Sequence, residues 1–72
     1  MNKYQIAYEV FKQDIELGLY DNSLISAVMQ FGRLLAFLEL SDFTESEREN
    51  EKNKLAELSF CWAKRYYSKE DK

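Results

Sequence analysis

Apolar residues recur along the chain with helical spacing, broken at two short polar stretches. From Tyr4 to Leu17 the positions Tyr4, Ala7, Tyr8, Phe11 and Ile15 share one face, flanked by Ile6, Val10 and Leu17. Lys3, Gln5, Glu9, Lys12, Gln13 and Glu16 supply the wet side. This spacing predicts an amphipathic helix over about 3–17. Asn2 is its expected N-cap, and Gly18 its left-handed C-terminal stop, because glycine carries no Cβ to clash at positive φ. Tyr20-Asp21-Asn22-Ser23 then reads as a turn ending in a second N-cap.

A second helix is predicted over about 24–40. Leu24, Ile25, Val28, Met29, Phe31, Leu34, Leu35, Leu38 and Leu40 cover most of its circumference, and Ser26, Gln30 and Arg33 leave a narrow polar stripe. A helix apolar nearly all round is expected to be central and buried. Phe37 falls on the polar stripe, so it is expected to be exposed in an isolated monomer. After Leu40 the chain turns polar again, and Thr44 with Glu47 forms a capping-box pattern; Ser41 offers a competing cap.

The third helix is predicted over about 45–67 and changes character midway. Residues 45–54 contain no apolar side chain, whereas Leu55, Leu58, Trp62 and Tyr66 then share a face flanked by Ala56, Phe60, Ala63 and Tyr67. Its polar half pairs opposite charges at i, i+3 and like charges at i, i+4, which nearly cancel at about 0.2–0.5 kcal/mol each. That half is expected to project from the core as a solvated arm, or to stay frayed until a partner meets it. Residues 68–72 are expected to form a mobile tail. Residues 1–67 thus form a single all-α domain, a small three-helix bundle or helical hairpin with a long C-terminal helix. The apolar surface of the second helix exceeds what two neighbours can cover, so homodimerisation is expected to complete the core.

Composition narrows the chemistry. The 72 residues include one cysteine, no histidine and no proline. A disulfide framework, a Cys/His zinc site and histidine-based acid–base catalysis are thereby removed. A chain this short needs staples, metals, very good packing or a partner, and only the last two remain open. Cys61, set between Phe60 and Trp62, is expected to be a buried, inert thiol. There is no phosphate-binding glycine loop, and the acidic run lacks the alternation and central glycine of a calcium loop. The chain is therefore expected not to be an enzyme and to need no cofactor or metal.

The formal charge of −3 is unevenly placed. Between Asp42 and Glu57 six acids face three bases, while between Lys64 and Lys72 four bases face two acids. An acidic chain is not expected to bind nucleic acid directly. No apolar stretch approaches the length of a membrane span, and no signal-peptide pattern opens the chain, so a cytoplasmic location is expected.

Aromatic residues make up 15% of the chain. Phe11, Phe31, Phe60 and Trp62 suit a small core, whereas tyrosine hydroxyls need water or a partner. Trp62, Arg65, Tyr66 and Tyr67 are the candidate partner-binding patch, since aromatics with arginine are enriched at binding hot spots. Phe37 and the acids Glu45, Glu47, Glu49 and Glu51 complete the candidate set, the acids as a possible imitation of nucleic-acid phosphate. The expected function is a small, acidic, non-enzymatic protein acting through protein–protein contact, such as a phage or mobile-element inhibitor that occupies a host protein surface. The alternative is an antitoxin, immunity or transcription accessory protein with one cognate partner.

Overall fold

The computed structural model describes residues 2–70. It contains three helices, α1 (Lys3–Glu16), α2 (Leu24–Glu39) and α3 (Glu45–Glu70), packed as an elongated bundle of 43 × 17 × 17 Å. The long dimension follows from α3, whose 26 residues span about 39 Å at 1.5 Å per residue.

The local signals read in the sequence account for the boundaries. Asn2 and Gln5 form a reciprocal capping box, each side chain accepting the other's backbone N–H at 2.9 Å. Gly18 has φ +83° and closes α1 in a Schellman motif: its N–H donates to the Ile15 carbonyl and that of Leu19 to the Asp14 carbonyl, both at 3.0 Å. Ser23 caps α2. Thr44 and Glu47 cap α3 reciprocally, at 2.9 and 3.2 Å. Ser41 does not compete for that role, because its hydroxyl donates to the Leu38 carbonyl at 2.6 Å at the end of α2. α1 and α2 each stop one residue short of the expected end, Leu17 and Leu40 serving as C-caps. α3 continues to Glu70, so residues 68–70 of the expected tail are helical; residues 71–72 lie outside the described residues.

The core is built from Tyr4, Phe11 and Ile15 of α1, Ala27, Leu34 and Leu38 of α2, and Leu55, Leu58 and Trp62 of α3. Phe11 sits edge-on to Phe31 at 4.8 Å and to Tyr20 at 5.0 Å, and Phe31 lies 6.3 Å from Trp62. Such edge-to-face pairs add about 0.5–1.5 kcal/mol each beyond burial.

The burial of several side chains differs from the sequence expectation. α2 is not a buried central helix: Ile25, Val28 and Met29 are 74%, 56% and 68% exposed. Phe37, expected outside, is half-buried against the core, with the Arg33 guanidinium 5.3 Å above its ring. The reason is that α2 turns its two phenylalanines toward the neighbouring helices, and the side opposite Ala27, Leu34 and Leu38 is left to solvent. Phe60 and Cys61 are also exposed. Trp62, one step of 100° further round the helix than Cys61, takes the buried stripe with Leu55 and Leu58.

The charged half of α3 is only partly a free arm, because Arg48, Glu51 and Lys52 are engaged. Tyr4 is 1% exposed and its hydroxyl donates to the Glu51 carbonyl at 3.5 Å, a long bond. Arg48 Nη2 donates to the Phe43 carbonyl at 2.9 Å, and Lys52 reaches Glu39 on α2 at 3.1 Å. Residues 48–52 of α3 are therefore tied to Tyr4, to the Phe43 carbonyl and to the end of α2 by two hydrogen bonds to backbone and one ion pair, while 45–47, 49 and 50 are exposed.

Candidate interaction surface

The aromatic end of α3 is tied to the α1–α2 turn. The Trp62 indole N–H donates to the Tyr20 carbonyl at 2.8 Å across 42 residues of sequence. Arg65 Nη2 meets Asp21 Oδ2 at 3.1 Å, and Nη1 donates to the Glu16 carbonyl at 3.2 Å. Asp21 is buried, so the guanidinium provides the charge partner a buried carboxylate needs. A Cβ on Gly18 would stand 3.0 Å from Asp21 Oδ2 and 3.3 Å from Arg65 Nη2, a second reason for glycine there beyond its positive φ. Tyr66 is half-buried and stacks on Trp62 at 5.1 Å, and Tyr67 meets Tyr66 edge-on at 5.2 Å while remaining exposed. Of the four candidate residues, Trp62, Arg65 and Tyr66 hold the bundle together, and Tyr67 alone presents mainly its own ring to solvent.

The acids have internal duties as well. Glu47 caps Thr44, and the backbone and side-chain hydrogen bonds from Thr44 hold its carboxyl below the ordinary glutamate range. Glu51 pairs with Lys54 at 3.1 Å. Glu45 and Glu49 are exposed and line a shallow cleft with Glu39, Arg48 and Lys52, where two bases stand among three acids. The four acids do not form one continuous negative face. Phe37 helps floor a cleft of about 320 Å³ between α1 and α2, with Phe11, Leu34, Asp14 and Arg33 also on its walls.

Tyr4 and Tyr8 stack at 6.1 Å beside Glu51. Burial raises both phenol pKa values above the ordinary 10, and the Glu51 carboxylate adds to each. A raised folded-state pKa means that this packing stabilises fully below about pH 10 and is lost as pH climbs through the folded value. The melting temperature of the wild-type chain is therefore expected to fall more steeply above pH 10 than that of Tyr4→Phe, followed by circular dichroism. Equal alkaline slopes would contradict the assignment.

The uncovered apolar surface expected of the second helix lies on the outer side of α2, at residues outside the candidate set. Ile25, Val28, Met29, Gly32, Leu35 and Ala36 recur at spacings of three and four residues and form one exposed apolar strip, which the same spacing ends at Glu39. The strip continues onto α3. A depression of about 210 Å³ between the helices is lined by Phe31, Leu35, Leu55, Ala56, Ser59 and Lys52. Phe60, one turn beyond Ala56 on the same side of α3, is 69% exposed. Isolated exposed apolar residues are ordinary, whereas contiguous apolar patches are in general a feature of interaction surfaces. The signal was present in the sequence as an excess of apolar positions on α2, without an indication of which part of the circumference would be left over.

Among the described residues, no three acidic or thiol side chains converge as metal binding requires, and no helix is long and apolar enough to cross a membrane. No protein-family model, curated protein or solved structure matches the chain.

Proposed function

We propose that this protein works by binding, as a homodimer, and performs no chemistry of its own. The carrying observation is the uncovered apolar strip of Ile25, Val28, Met29, Gly32, Leu35 and Ala36 on α2, extended by Phe60 on α3. Leaving such side chains in water costs about 25 cal/mol per Å² of apolar surface. A small domain with a core of nine buried apolar residues has little stability to spare for that cost. A second copy is the smallest assembly that covers the strip. In this reading the contact residues are those of α2 and Phe60, while Trp62, Arg65 and Tyr66 keep the bundle in shape. An inhibitory or regulatory role, as for a phage or mobile-element protein seated on a host protein, is the biological form of the reading and rests on the small acidic chain. A single exposed thiol suits a reducing compartment, and on that ground we place the protein in the cytoplasm.

Association of the folded chain makes thermal stability depend on protein concentration. The melting temperature is expected to rise by about 3–5 °C for each tenfold increase in concentration. A midpoint independent of concentration would contradict the proposal.

A further inference from the structure

We propose that the two copies pack α2 against α2 in antiparallel fashion, with the twofold axis passing beside Gly32. This inference rests on the dimeric reading above and adds its geometry. Gly32 lies inside a continuous helix, where glycine costs about 1 kcal/mol relative to alanine. Nothing within the monomer repays that cost: a Cβ built on Gly32 meets no atom within 4 Å, and φ is not positive there. Gly18, by contrast, is required by its own turn. The position of Gly32 supplies the missing reason. It stands midway along the exposed strip, with Ile25, Val28 and Met29 before it and Leu35 and Ala36 after it. A glycine at the point of closest approach lets two helix backbones come together without a side chain between them.

A twofold axis beside residue 32 makes the strip self-complementary, as a symmetric dimer requires. Residue n of one copy then faces residue 64 − n of the other, so that Val28 meets Ala36, Met29 meets Leu35, and Ile25 at the end of the strip meets Glu39. At the centre large side chains face smaller or flexible ones, and no charge faces a charge. Charged residues stand at the margins: Arg33 is turned to the α1 side over Phe37, and Glu39 is held by Lys52. The strip runs from Ile25 to Ala36 along α2 as an open, extended face, the form that an interface of about 800 Å² per partner requires. That form favours a second copy over a small ligand as the occupant.

Two measurements test the geometry in the full chain. The first uses Gly32→Leu. Because Gly32 is exposed and a Cβ there meets nothing in the monomer, the variant is expected to keep its helical circular dichroism. Its dimer dissociation constant is expected to rise on the order of tenfold or more, from overpacking at the crossing. An unchanged constant would overturn the placement of Gly32. The second uses thiols in a Cys61→Ser background. Val28→Cys and Ala36→Cys chains, mixed, equilibrated under reduction and then oxidised, are expected to cross-link to each other. Two copies of Val28→Cys are expected not to, since they stand about 12 Å apart along the axes. Efficient cross-linking of Val28→Cys to itself would overturn the antiparallel arrangement. Either overturning result, obtained with a wild-type chain that dimerises, leaves the dimeric reading standing; a wild-type chain that stays monomeric removes both.

Discussion

Trp62→Ala is expected to remove most of the stability of the fold. Truncating a buried tryptophan costs about 3–5 kcal/mol through lost burial and the cavity left behind. A 72-residue domain has a total of roughly 4–11 kcal/mol at 0.05–0.15 kcal/mol per residue. Trp62 is 5% exposed, borders Phe31, stacks on Tyr66 and donates to the Tyr20 carbonyl. The truncation therefore unfastens α3 from the α1–α2 turn as well as opening a cavity. Trp62→Phe keeps much of the packing and loses the N–H donor, at an expected cost of about 1 kcal/mol for the hydrogen bond plus the smaller ring. Phe60→Ala, two residues away, is expected to change monomer stability by no more than about 0.5 kcal/mol, because its ring lies in solvent. Urea unfolding followed by circular dichroism ranks the three. A loss for Phe60→Ala as large as that for Trp62→Ala, measured at concentrations where the chain is monomeric, would contradict the division between core and surface.

That division shows where sequence reasoning succeeds and where it stops. The helix ends were legible because caps are local chemistry: Asn2 with Gln5, Ser23, and Thr44 with Glu47 each act within three residues. Gly18 was legible for the same reason. On α3 the buried stripe Leu55, Leu58 and Trp62 stood out, since a polar background leaves one face to choose. On α2 the periodicity gave no such choice. Apolar residues occupy most of its circumference, so the pattern could not say which part faces α1 and α3. The decision falls to long-range contacts, chiefly Phe31 between Phe11 and Trp62, which turn Ile25 and Met29 outward. The pairing of Arg65 with Asp21, 44 residues apart, was equally out of reach. Without it the aromatic end of α3 resembles a binding patch, when it is chiefly a clasp.

The second large effect is expected from Ile25→Glu combined with Met29→Lys. The two residues are four apart, with the acid N-terminal to the base. That order adds about 0.2–0.5 kcal/mol to an isolated helix. Neither side chain packs into the core, so the monomer is expected to keep its helical content. Association is a different matter. Both charges would be driven into the apolar strip, and burying a charge without a built partner costs several kcal/mol. The double variant is accordingly expected to lose self-association while remaining folded, separating the binding surface from the fold in a single protein. A variant that loses helicity along with association would instead place Ile25 and Met29 in the monomer core, contrary to their exposure.

The central claim is that the α2 strip is covered by a second copy, and sedimentation equilibrium tests it most directly. At tens of micromolar, the wild-type chain is expected to sediment at twice its 8.6 kDa mass. Under the same conditions the Ile25→Glu, Met29→Lys variant is expected at the single-chain mass. A wild-type chain that sediments at 8.6 kDa across the concentration range would contradict the account.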